Sequence, residues 1–382
     1  MTTQIQTKGS VNVVMMAGLA GLVIGLGVVF ANLISDGHAS FNTGSNGLTW
    51  GLPVVNYVFF ALSATGLAMV ASLAMVFGYK EFYPIAKRCI WLSLAALIAG
   101  FTSLALELGH PFRMLWAVPL NFQPQSPMNW MGLFYSVFLV IALLKFKKIN
   151  DGDWNSSLSK QLGLAAFVAE LAAGATLGSA FGMMAMRPMW YDPQLPVYFL
   201  ITAGLSGAAL AVLVTYLAYG NQESMPEKVR SLMTGAMPKV FATVLGASMI
   251  ALAARVIIGS WSNADGLQVW DAIVGSPWFW LEALALIASF ALLVNPETRN
   301  QGNIQFVVSI LVIVAVFIGR YEFIVGGQLV PMFKGSWVQG LISYTPSLTE
   351  WMMTLTSVSI ALAGWAVGEK VLNLAAVPED AA

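Results

Sequence analysis

Between Leu104 and Tyr135 the chain reads LALELGHPFRMLWAVPLNFQPQSPMNWMGLFY. It sets a carboxylate (Glu107), an imidazole (His110) and a guanidinium (Arg113) within seven residues at the end of an apolar run. Such a trio can exchange protons, pair with an anion or hydrogen-bond a carbonyl. Beside hydrocarbon each group is costly, so it is kept where it pairs, lines a wet cavity or reacts. An interfacial turn with snorkelling charges and proline punctuation accounts for the same residues.

A second group of ionisable residues lies inside apolar runs. Glu170 sits about eight residues, or ~12 Å, into one of them; a lone carboxylate there must be paired or hold a proton. It is a candidate proton carrier, or a neutral Glu bonded to a neighbouring helix. Arg255, Glu282 and Arg320 with Glu322 fall near the ends of three further runs. They could form an ion-pair network among helices or the mouth of a proton path.

What must position these residues follows from composition. Of 382 residues, 58% are hydrophobic and 9% are charged, against roughly 25% charged in soluble domains. A chain like this cannot solvate its own surface, so it is expected to be a polytopic membrane protein. The net charge is zero, with no basic tail that would bind nucleic acid. The first apolar run, Val13 to Leu33, is long enough to span and lacks the shape of a cleaved signal peptide. A single cysteine, Cys89, excludes a disulfide framework, an iron–sulfur cluster or a thiolate metal site within the chain. The two histidines, His38 and His110, lie at or beyond helix ends on one side and do not supply paired axial ligands for a haem.

Ten apolar runs reach spanning length, near Val13–Leu33, Pro53–Phe77, Ile90–Leu106, Trp130–Leu144, Leu162–Met184, Pro196–Ala218, Val240–Ile258, Trp278–Val294, Ile304–Ile318 and Trp351–Val367. Their all-round hydrophobicity argues for helices over barrel strands. With the N-terminus inside, 13 of the 18 Lys and Arg fall in inner segments. The positive-inside rule then places both termini in the cytoplasm. Outside lie His110, Arg113, Arg187, Asp192 and Glu350, and most of the thirteen tryptophans. The outer loops, Ser35–Leu52, Leu108–Asn129, Ser260–Pro277 and Tyr321–Leu348, are long and rich in Gly, Pro and Trp. Loops of that length and aromatic content are expected to pack on one another or on a partner. Gly21 and Gly25 form a small-xxx-small face for helix packing.

A helical bundle with ionisable groups under one face, and no redox centre of its own, fits three functions. It could be a quinone-reacting subunit that passes electrons to a partner, a secondary transporter, or a passive anchor for an outer-face complex. Transporters place coupling residues near the midplane, whereas most candidates here lie at one face.

The segment ELGHPFRMLW…SPMNW resembles the NrfD/PsrC family of membrane subunits of respiratory oxidoreductases. Three more stretches are similar to that family: Trp50-Gly51 with Asn56 in WGLPVVNYVFF; RPMWYDPQLPVYFLITAGLSG from Arg187; and RYEFIVGGQLVP with YTPSLTE, from Arg320 to Glu350. The last matches the ten-span branch, and together they cover most of the chain from residue 50 onward. The resemblance implies two four-helix bundles plus flanking helices. It divides the chain into a first helix and outer loop (1–50), a first bundle with the quinone site (51–195), a second bundle (196–325), and a last loop, helix and tail (326–382). It further implies a multi-pass protein of a prokaryotic inner membrane. Menaquinone or ubiquinone would be the non-covalent redox partner, with no haem or metal in this chain. A ferredoxin-like iron–sulfur subunit is expected on the outer face, and beyond it a molybdopterin enzyme, hydrogenase or multihaem cytochrome. On this reading Asn56, Tyr135 and His110 hydrogen-bond the quinone head group, and Glu107 exchanges protons with it, tuned by Arg113. Trp116 and Trp130 form an aromatic lid, and Glu170, Arg255, Glu282, Arg320 and Glu322 form a proton path. One departure matters: some relatives place a histidine three residues after the asparagine, where this chain has Phe59.

Overall fold

The structure is a computed structural model and describes residues 9–44, 48–261, 266–331 and 340–378. Lys8 and Lys334, among the Lys and Arg counted for orientation, and Trp337, among the tryptophans placed outside, are not among these residues. Every regular element described is helical: α1 (Gly9–Ser35), α2 (Leu52–Met75), α3 (Tyr83–Glu107), α4 (Arg113–Leu120), α5 (Pro127–Asn150), α6 (Ser157–Gly182) and α7 (Leu195–Tyr219) in the first part. Then follow α8 (Glu227–Thr234), α9 (Ala236–Trp261), α10 (Gly266–Val274), α11 (Pro277–Val294), α12 (Pro296–Arg299), α13 (Gly302–Gly326) and α14 (Leu348–Val371). Ten of these are long and apolar enough to cross a membrane, one for each run read from the sequence. Proline at the first turn starts α2, α3, α5, α7 and α11, where its missing N–H would lack a partner anyway.

Helices α2, α3, α5 and α6 make one bundle and α7, α9, α11 and α13 a second, while α1 pairs with α14, which also packs on α3. The bundles meet along α2 and α7 at a glycine crossing. A methyl built on Gly66 would overlap the Ala203 carbonyl, and one on Gly207 would overlap the Gly66 backbone. The α1–α14 seam uses the small-residue face expected from sequence: Gly21 abuts Ser359, and Gly25 abuts Thr356. Since Gly18 meets Ala363 while Gly25 meets Thr356, the two helices are antiparallel. The face where α1 starts and α14 ends is called the terminal face, and the opposite one the loop face.

Among the boundaries that move from those read in sequence, two show the physical reason plainly. The fourth span runs on to Asn150, because Lys145, Phe146 and Ile149 are buried against neighbouring helices. The ninth continues to Gly326 and takes Arg320 and Glu322 into the helix, since Arg320 finds Thr202 and the Phe199 ring inside the second bundle. A repeat also escaped sequence reading. Ser126-Pro127-Met128-Asn129-Trp130 and Ser276-Pro277-Trp278-Phe279-Trp280 open equivalent helices, each preceded by a short helix. In both, the tryptophan indole donates six residues back, Trp130 to the Pro124 carbonyl and Trp280 to that of Val274.

Candidate functional site

The loop-face end of the first bundle is built on Asn56. One turn and a half into α2, it is fully buried, and its Nδ2 donates to Thr354 Oγ1 of α14 at 3.0 Å. The Thr354 hydroxyl in turn donates to the Glu350 carbonyl, which fixes the amide with its nitrogen toward Thr354. The Asn56 Oδ1 is left without a partner. A buried amide oxygen in that condition costs about 1–3 kcal/mol, so a donor arriving there is favoured.

Glu107 ends α3 half-buried, and its main-chain carbonyl accepts a 2.8 Å bond from His38 Nε2. His110 and Arg113 are exposed in the turn and first residue of α4, none of whose side chains is buried. The imidazole seated against Glu107 is thus His38 from the α1 side, not His110. Only the scarcity of histidine in the chain could have hinted at it. Trp130 packs between Phe122 and Phe134, while Trp116 is half exposed. Tyr135 is fully buried, with its hydroxyl 3.5 Å from Thr65 Oγ1. Thr65 lies nine residues below Asn56 on α2, about 13 Å along the axis. Asn56 and Tyr135 therefore occupy different depths of the bundle, linked by the aromatic file Tyr57–Phe101–Tyr135.

Two polar knots hold this end together, and sequence reading found neither. Glu350 is fully buried and caps its own helix. Its carboxylate accepts from Tyr344 Oη (2.6 Å), Ser347 N (2.7 Å) and Asn42 N (3.3 Å), and Tyr344 Oη accepts from Leu52 N. Burial first, and then donation to Glu350, push the Tyr344 phenol well above its ordinary value. Gln328, also fully buried, accepts from Thr49 N, Trp50 N and Thr49 Oγ1 and donates to the Trp50 and Ile324 carbonyls. The preceding Gly327 has no room for a side chain, because the Trp190 indole lies against it. Trp190 stacks on Trp50 with ring centroids 5.5 Å apart. Arg187 donates to the Gln328 and Val330 carbonyls, and its burial lowers the guanidinium from its usual range. Of the long loops expected to pack on one another, Ser35–Leu52 and Tyr321–Leu348 do so among the described residues, while α4 in the Leu108–Asn129 loop has no buried side chain.

The remaining ionisable candidates line the second bundle and its border with the first. Arg255 pairs with Asp192 at 3.6 Å and lies over the rings of Tyr198, Phe323 and Trp270. Arg320 donates to Thr202 and stacks over Phe199 at 4.8 Å. Glu282 packs its carboxylate against Gly319, and with Arg320, Thr202 and Ser248 it borders a cavity of about 20 Å³, the size of one water. Glu322 is half-buried. Glu170 is fully buried, and neither carboxylate oxygen has a hydrogen-bond partner. Arg255, Glu282 and Arg320 are gathered; Glu170 stands apart in α6, on the side of the bundle near Tyr135.

Ten membrane-length helices, eight of them in two bundles beside the α1–α14 pair, with polar side chains buried beneath one face and no cluster of metal-ligating side chains among the described residues, define a multi-pass integral membrane protein. Residues 41–332 match the family model described as polysulphide reductase, NrfD. The chain belongs to that family. It is 21% identical to a selenate reductase subunit of Mesobacillus selenatarsenatis, over 82% of this chain and 83% of the relative. It is 24% identical to the Hdr-like menaquinol oxidoreductase integral membrane subunit of Archaeoglobus fulgidus, over 92% and 91%. It is also 24% identical to protein NrfD of Escherichia coli, over 74% and 96%.

Proposed function

We propose that this chain is the quinone-reacting membrane subunit of a multi-subunit oxidoreductase. It exchanges electrons between a quinone pool and an iron–sulfur subunit docked on the loop face, with a further catalytic subunit beyond. The observation that carries the reading is the orphaned Oδ1 of Asn56, a buried acceptor at the loop-face end of the first bundle. A family relative bearing the name menaquinol oxidoreductase subunit adds support. In the membrane, with both termini in the cytoplasm, the loop face points outward across a prokaryotic inner membrane. Thirteen Lys and Arg on the inner segments support that orientation.

When bound, a quinol supplies two electrons and two protons. Asn56 Oδ1 accepts from a quinol hydroxyl and so orients the ring. Glu107, nearest the aqueous end, takes up a released proton, and Arg113 biases its charge. Trp116 and Trp130, beside the mouth, exclude water, while Tyr135 with Thr65 closes the deeper end. Glu170, Arg255, Glu282, Arg320 and Glu322 offer a set of ionisable groups for proton transfer across the bilayer.

The test is turnover of a soluble quinol analogue by the purified native complex. Asn56→Leu should lower kcat/KM by roughly 10- to 100-fold, the value of one buried hydrogen bond made to the reacting ligand. Glu107→Gln should lower kcat while subunits still co-purify. Wild-type turnover in either variant removes the role assigned to that residue, and wild-type turnover in both overturns the site.

A further inference from the structure

A second site lies at the opposite end of the molecule, on the terminal face. A pocket of about 550 Å³ opens between the end of α2, the start of α3 and the first turns of α6. That volume is ample for a small ligand head group. Lys80 and Lys160 stand at its rim, Met75, Tyr83, Leu164 and Pro378 supply its apolar surface, and no carboxylate lines it among the described residues. Neither lysine meets a carboxylate within ion-pair distance among the described residues.

A third cation stands behind the wall. The Lys145 ammonium is buried next to Gly163 and the Met75 carbonyl. Among the described residues its hydrogen bonds go to neutral groups, Ser159 Oγ at 2.7 Å and the Trp154 carbonyl. The nearest acid in sequence, Asp153, is bonded to Lys148 and Ser156 and reaches the Lys145 charge only through longer-range attraction. The N-terminal end of α6 begins at the pocket, where Asn155 lines it, and adds its positive pole. Among the described residues, two rim ammonium groups without an ion-pair partner, a third behind the wall and a helix start thus gather positive charge around one cavity.

The shape of the surroundings selects the ligand. From Leu164 the exposed apolar face of α6 continues up the helix to Val168, about half of each side chain being uncovered. Phe77 and Phe167 form a T-shaped pair alongside. A charged pocket at the head-group level that runs into a lipid-facing apolar strip matches an amphiphile lying parallel to the helix. We propose that this pocket binds the phosphate of an anionic phospholipid, with Lys80 and Lys160 on the phosphate and an acyl chain along Leu164 and Val168.

The experiment uses the purified full-length protein, delipidated and reconstituted in nanodiscs of phosphatidylcholine with graded phosphatidylglycerol, bound lipid being counted by native mass spectrometry. Wild type should retain phosphatidylglycerol over phosphatidylcholine. Lys80→Gln with Lys160→Gln should weaken that preference roughly 30-fold, about fivefold for each lysine near the membrane surface. Lys80→Arg with Lys160→Arg should keep it. The exposed terminal-face pair Lys147→Gln with Lys239→Gln is a control for general charge and should leave the retained lipid unchanged. Excess inorganic phosphate should displace no lipid, since it lacks the chain. Equal loss in the control pair, or no loss in the Gln pair, overturns the site. Displacement by phosphate alone overturns the lipid assignment and makes the pocket a free-anion site.

Discussion

Replacing Gln328 by leucine tests how the loop face is held. The side chain is fully buried and makes five hydrogen bonds of 2.8–3.1 Å. Leucine keeps the volume but none of the bonds. Each contributes about 1 kcal/mol net, and the amides of Thr49 and Trp50 lose their acceptor, at about 1–3 kcal/mol for each one that stays buried. Because the freed loop can reach water, the losses do not simply add, and a total near 4 kcal/mol is expected. That is about three powers of ten in the local opening equilibrium. Hydrogen exchange of a peptide covering residues 48–52 reads it directly. Its amides should exchange 100- to 1,000-fold faster, while peptides from the α2–α7 crossing stay unchanged. Trp50 would also lose its fixed stacking on Trp190, and partner subunits docking on that face should be retained less well. Wild-type exchange at residues 48–52 would show that the knot does not hold the loop.

Other outcomes follow from the same geometry. Gly207→Val should lower the melting temperature in detergent, because overpacking of this kind costs about 1–3 kcal/mol and Gly66 backbone lies where the side chain must go; Gly132→Ala, with nothing within 4 Å, should be neutral. Arg88 and Glu369 form a buried ion pair between α3 and α14, so Glu369→Gln strands the guanidinium and should cost about 3–5 kcal/mol by denaturant titration. At the turn before α6, hydrogen bonds from Ser156 hydroxyl and amide hold the Asp153 carboxyl below its ordinary value. A depressed pKa stabilises above the unfolded-state value of about 3.9 and is lost as pH falls through the folded one. Exchange at the α6 N-terminus should therefore rise below about pH 4, and Asp153→Asn should remove that pH dependence.

The positive-inside pattern shows where reading charges from sequence falls short. Lys87, Arg88 and Lys145 count as inner-surface charges in the sequence, yet all three are buried. Lys87 donates to Asn150 and the Leu372 carbonyl, Arg88 pairs with Glu369, and Lys145 holds Ser159. Their end of the bundle follows from counting residues. Their partners do not, because most come from a different helix. The stretches whose sequence resembles the family behave similarly: Gly327, Gln328, Tyr344 and Glu350 act here as packing and hydrogen-bonding elements of the loop face.

Hydrophobic run length by itself determined the number of helices, their approximate ends and the membrane setting, because a bilayer demands about 20 apolar residues per crossing with every backbone group bonded inside the helix. The small-residue face of α1 was legible for the same local reason. What only the tertiary structure decided is which side chains meet: Asn56 with Thr354, His38 with Glu107, Arg320 with Thr202, and Asn56 apart from Tyr135. Inside a membrane bundle these pairings are set by how helices rotate and cross on their glycines. That rotation depends on contacts between residues far apart in the chain, which no local pattern encodes.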